Sequence, residues 1–446
     1  MLKYLAFGVA AIIGVPAMTG ISIVMPKIKY LLISIMIFST MLGAKVSINF
    51  LSMESYRGPA RGFEITITDL ICAALIFYLI ISKPRDIKWF PRTVGTCTFF
   101  FIAAVVNVAT SDNPIYGYFF IWQLVRAGAL YWCMINLIYS EDGSDEIMKA
   151  IWLGFILIGF TFLFVALKQK YMDGYYRIHA YFDHSNTIPS FLLMIVCLMM
   201  VWGMANKKFS FIQYVLTMFA ALGMVFAVFA TGSRTGYVVT AGSVVAAVFI
   251  VNIRKHKVSS DKFKILLSTF VIVFAGIIGG AMVMDTVIDR FLNAPEESEG
   301  AREEFNIAAK MMAADHTFGI GLNQYPHVLT VEQKYREHIV IMKYEEHAGV
   351  AHHIYLLTMA EMGYIGLGMF IFLLMRIILP IIFTGLRWKS LNHLMMLGLG
   401  VGLMAFLMIG FLEWVFRLTP IIYMFSISSG LGTGLVALDR KKKKGK

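Results

Sequence analysis

Roughly twelve or thirteen apolar runs follow one another along this chain, each near the ~20 residues a helix needs to cross a hydrocarbon layer. They centre near Ile12, Ile37, Leu75, Ala103, Ala127, Ile158, Met194, Met218, Val244, Val273, Gly366, Ala405 and Phe425. Lipid offers backbone amides no water to bond, so such runs fold as helices. With 59% hydrophobic and only 15% charged residues in a chain of 446, no soluble core could bury the apolar surface. The expected fold class is an all-α polytopic membrane protein, with about 12–13 transmembrane helices and one large, partly helical extracytoplasmic loop.

That loop is the stretch from Asp285 to His353, the one long segment too polar for a bilayer. The chain accordingly divides into helices over 1–284, the loop at 285–353, C-terminal helices at 354–438 and a basic tail at 439–446. The net charge of +12 sits in short connections, which is a topology signal and gives no reason to expect nucleic acid as a partner. Lys83 to Lys88, Lys207-Lys208, Arg254 to Lys257 with Lys262 and Lys264, Arg387 to Lys389 and Arg440 to Lys446 belong inside. Alternation then puts Lys168 to Asn186, Thr231 to Gly236 and Asp285 to His353 together outside.

The N-terminus fits less simply. Lys27 and Lys29 favour the inside, which leaves the start of the chain outside if Leu5 to Val24 crosses fully, and Pro16 is placed to break that run into a half-crossing. Ala17-Met18-Thr19-Gly20 is a poor cleavage site, so the segment is expected to be retained. Cys72, Cys97, Cys133 and Cys197 stand singly in apolar runs and read as packing residues.

Four places on the outer face carry candidate chemistry. Arg234, in Thr231-Gly232-Ser233-Arg234-Thr235-Gly236, is a charge at the membrane edge, which marks either a binding site or a turn facing lipid headgroups. Arg177 and Asn186 bound an aromatic and basic stretch that suits a sugar, a lipid headgroup or an interfacial aromatic belt. Gly300 to Met312 has helical spacing at Phe305, Ala308, Ala309 and Met312, broken at Phe318 to Asn323. Arg302 falls in the first turn of that helix, where the dipole disfavours a cation unless an anion shares the site. His352 and His353 open the next apolar run. An imidazole, with an ordinary pKa of about 6.5, suits a general base at neutral pH. Glu345, Glu346 and His347 nearby raise a metal reading, but the HExxH pattern is absent and adjacent histidines diverge on a helix, so neither metal nor cofactor is expected.

These stretches resemble, in order and spacing, the O-antigen ligase and polymerase superfamily of bacterial membrane glycosyltransferases. The resemblance runs over roughly 170–380 and rests on Arg177 to Asn186, Ser233-Arg234-Thr235-Gly236, Arg302 leading to Gly319-Ile320-Gly321, and His352-His353-Ile354-Tyr355-Leu356 followed by Glu361 to Leu367. It implies a multi-pass protein of the bacterial inner membrane with its active site facing the periplasm. The donor it implies is a glycan on polyprenyl (undecaprenyl) diphosphate, and the acceptor a glycan or lipid core, in lipopolysaccharide or exopolysaccharide synthesis. Arg234 and Arg302 would hold the diphosphate, His352 would activate the acceptor, and Arg177 and Asn186 would touch substrate. The family usually has Asn after this His, and His353 stands there instead, so both histidines remain catalytic candidates. Because arginines can neutralise a departing diphosphate, the chemistry expected is an inverting, metal-independent transfer. A ligase and a polymerase joining lipid-linked repeat units need the same donor site and base. A transporter or flippase is the reading from another class, but no inverted repeat is visible.

Overall fold

The structure, a computed structural model, describes residues 2–253, 288, 296–337, 339 and 349–444. The run near Val273, the cluster Arg254 to Lys257 with Lys262 and Lys264, and Glu345 to His347 lie outside the described residues. The N-terminal half holds α1 (Leu2–Val9), α2 (Val15–Val24), α3 (Pro26–Ser39), β1 (Ser47–Phe50), β2 (Phe63–Thr66), α4 (Ile67–Ser82), α5 (Val94–Ala109), α6 (Pro114–Ser140) and α7 (Asp145–Leu167). There follow α8 (Thr187–Ala205), α9 (Phe211–Ala230), α10 (Arg234–Ile253), α11 (Glu296–Asp315), α12 (Tyr325–Val331), α13 (Gln333–Arg336), α14 (Ile354–Gly385), α15 (Leu391–Ile409) and α16 (Thr419–Lys444).

The chain is an all-α polytopic membrane protein. Among the described residues nine helices are long and apolar enough to cross a membrane, and Ile67–Ser82 and Val94–Ala109 are shorter apolar helices. Every apolar run that falls on described residues is helical, but α3 has only 14 residues. At 1.5 Å per residue it is roughly 21 Å long, short of a ~30 Å hydrocarbon layer. One face packs into the bundle, where Ser34 Oγ donates to the Ala150 carbonyl at 2.8 Å, while Leu31 and Ile35 stay exposed.

Pro16 does not break the first run. A π-helical turn at Ala10–Gly14 precedes it, closed by the Val15 N–H to the Ala10 carbonyl, and Pro16 falls in the first turn of α2, where its missing N–H costs least. The break comes at Met25, which is non-helical before Pro26. The β1–β2 hairpin is antiparallel, pairing Ser47 with Thr66 and Phe50 with Phe63, and is the part of the described chain that the all-helical expectation lacked.

At the centre stands α8, Thr-Ile-Pro-Ser-Phe onward, apolar all round and buried along its whole length. Helix α15 lies against it through Gly398 and Gly402, where a methyl group on Gly402 would come 2.6 Å from the Leu193 carbonyl oxygen. Small residues let the two backbones approach, the usual means of packing helices in lipid. The buried Arg126 is paired within the bundle: it bridges Glu64 at 3.2 Å and Asp69 at 3.0 Å, tying α6 to β2 and α4.

The two ends of the bundle differ. At one, Lys29 meets Glu141 (2.5 Å), Lys208 meets Asp145 (2.7 Å), Lys441 meets Asp142 (2.7 Å) and Arg387 meets Asp439 (2.5 Å). This is the basic end, and α16 continues through it as helix to Lys444, so the residues expected as a tail extend the last helix. The hairpin and the connections at 173–186, 231–233 and 410–418 gather at the other end. Tyr4 OH donates to the Asn49 carbonyl there (3.3 Å), so the first helix starts at this end.

Candidate functional site

Asn186 is the N-cap of α8, yet its side chain caps nothing. It reaches across the end of the bundle instead. Its Nδ2 donates to Glu413 Oε1 at 2.6 Å, and its Oδ1 accepts from Arg177 Nη2 at 2.8 Å. Arg177 is itself fixed: Nε donates to the Thr231 carbonyl at 2.8 Å, and the Ile178 N–H bonds the Ala230 carbonyl at 3.2 Å. The 173–186 connection is thereby fastened to the α9–α10 turn. That turn needs Gly232 at φ +68°, with the Arg177 side chain packed against it. Arg234 opens α10 two residues later and is half-buried.

Glu413 is the hub. It lies in the short connection before the 3₁₀ turn Val415–Arg417 and is 7% exposed. Arg302 Nη2 comes within 3.5 Å of its Oε1, and His352 Nδ1 lies 3.9 Å from its Oε2, buried and without a hydrogen bond. Asn186, Arg302 and His352 thus meet around one carboxylate, with Arg177 joined to it through Asn186. Three half-buried arginines at this end, counting Arg234, leave the site rich in positive charge.

The two histidines diverge. His353 Nδ1 accepts the Leu356 N–H at 3.2 Å and so caps α14, with its ring edge-on to Tyr355 and Phe411. Burial pushes the His353 pKa below its ordinary value, opposed by a hydrogen bond to its own backbone. His352, one residue earlier, is the one beside Glu413. The Ile354 N–H bonds the Gly410 carbonyl at 2.9 Å, which holds the start of α14 and the connection carrying Glu413 at fixed separation.

Arg302 arrives on α11, whose buried face is Phe305, Ala308, Ala309 and Met312, the spacing expected from sequence. The helix begins at Glu296, however, so Arg302 is beyond the first turn and the helix dipole makes no case for an anion there. A clasp anchors α11 to α14. The Ile320 and Gly321 N–H groups bond the Ala360 and Glu361 carbonyls at 3.0 and 2.9 Å. Asn107 Nδ2 donates to the Phe318 and Glu361 carbonyls, both at 3.1 Å, and its Oδ1 accepts from the Leu322 N–H at 2.8 Å. Gly363, at φ +70° inside α14, lets Phe318 come this close; a methyl there would lie 2.8 Å from the Phe318 backbone. A Gly363→Ala variant is expected to lose at least about 1–3 kcal/mol of stability from backbone strain. Thermal unfolding in detergent and faster proteolysis within 296–337 would report it; an unchanged melting curve contradicts the clasp.

Glu413 escaped the sequence reading. The signal was there, a lone acid between apolar runs in Phe411-Leu412-Glu413-Trp414, an expensive residue to place at a membrane edge. Among the described residues no three His, Cys, Asp or Glu side chains converge as metal ligands would.

A comparison with curated proteins finds no match. Residues 219–371 match the family model described as O-antigen ligase. The matched segment runs from within α9 through α11 and the clasp into α14, and it contains Arg234, Arg302 and His352. Over this segment, about a third of its length, the chain is similar to the O-antigen ligase family.

Proposed function

We propose that the protein moves a glycan from a polyprenyl diphosphate donor to an acceptor sugar hydroxyl at the outer face of the bacterial inner membrane. The family supports an O-antigen ligase- or polymerase-like function in polysaccharide biosynthesis. The observation that carries the finer reading is the meeting of Asn186, Arg302 and His352 on Glu413, with Arg177 bonded to Asn186, at the end of the bundle opposite the basic one. By the positive-inside bias the basic end is cytoplasmic, so the site faces the periplasm.

In this reading Arg234 and Arg302 hold the diphosphate, and Arg177 and Asn186 line the sugar side. The acceptor oxygen attacks the anomeric carbon as the bond to the diphosphate breaks on the opposite face, which inverts the centre. The acceptor's proton passes to His352, and the charge left on the polyprenyl diphosphate is neutralised by the arginines. Glu413 beside Nδ1 stabilises the imidazolium as it forms and keeps the ring oriented. No step requires a metal ion. The donor's hydrocarbon has a place as well: an apolar cavity of about 380 Å³ between α5, α6, α14 and α16, walled by Phe100, Phe120, Leu374 and Phe416 and reaching Ile354. Its rim residues Thr98, Val125 and Gly128 are exposed toward the lipid side.

The test is a glycan profile of a deletion strain complemented with the wild-type chain or with Arg302→Ala, membrane levels being matched. Loss of a donor of transition-state charge stabilisation predicts transfer lower by roughly 10²–10³-fold. Full-length lipid-linked polymer accumulating unattached identifies a ligase, and single repeat units identify a polymerase. A wild-type profile from Arg302→Ala contradicts the diphosphate assignment, and a deletion strain without any glycan defect contradicts the function.

A further inference from the structure

At the basic end, far from Glu413, a cleft opens between the loop 83–93, α14 and α16. Lys88, Arg92, Arg376 and Arg440 line it, and among its described lining there is no Asp or Glu. Its walls are apolar, supplied by Ile377, Ile381 and Val436. Arg440 lies within electrostatic reach of the guanidinium groups of Arg92, Arg376 and Arg387. The nearest acid in sequence, Asp439, is already engaged by Arg387 (2.5 Å), Lys443 (3.1 Å) and His393 (3.3 Å). Arg92, Arg376 and Arg440 make no hydrogen bond or ion pair among the described residues.

These three like charges repel one another, the opposing charge that acts on Arg440 being the already shared Asp439, and one of them is placed at a depth where that is costly. Arg376 is nine residues before Gly385, the end of α14, or roughly 13 Å along the helix at 1.5 Å per residue. A cation in that position calls for an anion reaching into the membrane. The loop is also held rigid. Its Lys88 N–H donates to Asn136 Oδ1 at 2.7 Å, Trp132 Nε1 donates to the Trp89 carbonyl at 3.2 Å, and hydroxyls link Thr93 to Tyr131 and Tyr131 to Thr433 at 2.9 Å each. Trp89 and Phe90 are 50% and 83% exposed on this loop, a pair suited to the boundary between headgroups and acyl chains.

We propose that this cleft binds the phosphate of an anionic phospholipid, with Arg92, Arg376 and Arg440 as its ligands and an acyl chain along Ile377, Ile381 and Val436. The mixture of cations at the mouth and apolar walls behind fits an anion attached to hydrocarbon. Basic pockets between transmembrane helices on the cytoplasmic side recognise such headgroups. The site is independent of the transfer reaction proposed above.

The test uses the purified full chain in detergent, its thermal unfolding followed while phosphatidylglycerol, phosphatidylcholine or inorganic phosphate is added. Phosphatidylglycerol is expected to raise Tm in the wild type and the other two to leave it unchanged. An Arg92→Gln, Arg376→Gln, Arg440→Gln triple variant should require on the order of 100-fold more phosphatidylglycerol, each charge near an anionic surface contributing roughly a factor of five. The corresponding triple Lys variant should recover much of the response. Should the triple Gln variant be poorly made, Arg376→Gln alone at its exposed position is expected to show about a fivefold loss. Equal responses to the two lipids, or a wild-type response from the Gln variants, would overturn the proposal. Equal protection by inorganic phosphate would keep a phosphate site and overturn its assignment to a lipid.

Discussion

A His352→Asn variant is expected to lose glycan transfer by roughly 10²–10⁴-fold, the usual contribution of a positioned general base, while His353→Asn stays within a few fold of wild type. The two residues are neighbours, so the contrast separates chemistry from local structure. His352 Nδ1 faces Glu413 across 3.9 Å, whereas His353 spends its Nδ1 on the Leu356 N–H. Asparagine is a good N-cap and can take over that bond. It cannot replace the ring packed against Tyr355 and Phe411, so His353→Asn should cost about 0.5–1.5 kcal/mol in stability without touching the reaction.

The variant also has a pH signature. Burial depresses the His353 pKa, so the folded protein takes up this proton less readily than the unfolded chain. The stability it contributes is complete above the unfolded value of about 6.5 and is lost as pH falls through the folded value. His353→Asn should therefore be less sensitive to acid than wild type in thermal unfolding between pH 7 and 5, an arm chosen to straddle about 6.5. If instead His353→Asn abolished transfer and His352→Asn did not, the roles given to the two histidines would be reversed.

Arg417→Met should destabilise the protein by about 3–5 kcal/mol, because it strands the carboxylate of Glu361 in the interior. The pair is 2.8 Å apart, and the two residues are 5% and 1% exposed. Burial pulls the Arg417 guanidinium below its ordinary pKa, and the charge of Glu361 works against that pull. Glu361 also ends the clasp: its carbonyl accepts from Gly321 and Asn107, and its Oε1 lies 3.5 Å from the Tyr325 N–H. Loss of the ion pair is thus expected to loosen α11 and with it Arg302, so transfer falls as stability does. An Arg417→Met, Glu361→Met double variant should regain most of the stability, since removing both charges avoids the stranded one. A double-mutant cycle by thermal unfolding in detergent measures the coupling. Costs that simply add would mean the two charges do not depend on each other.

Much of the architecture was legible in the residues because lipid leaves few choices. Apolar length and the placement of Lys and Arg sufficed to find the helices and to sort their connections onto two ends. The reading faltered where packing replaces lipid as the environment. α3 is shorter than its apolar run, and the first run breaks at Met25 and not at Pro16, which falls in the first turn of α2. The clasp explains the Gly319-Ile320-Gly321 and Glu361-Met362-Gly363 stretches, which as sequence were only recurring patterns.

Candidate site residues were recognisable one at a time, as charges and imidazoles set where water meets membrane. Their meeting point was not. Arg177 and Asn186 share one connection, Arg302 sits on α11 and His352 just before α14, and Glu413 comes from the connection before α16. What the sequence determined by itself is a helical bundle in a membrane with its positive charge at one end, since hydrophobic length and charge asymmetry act locally along the chain. Only the tertiary structure decided that one histidine caps a helix while its neighbour faces a carboxylate, and that three arginines at the basic end share one cleft. Those outcomes depend on which helices pack together, and packing is set by contacts between residues far apart in the chain.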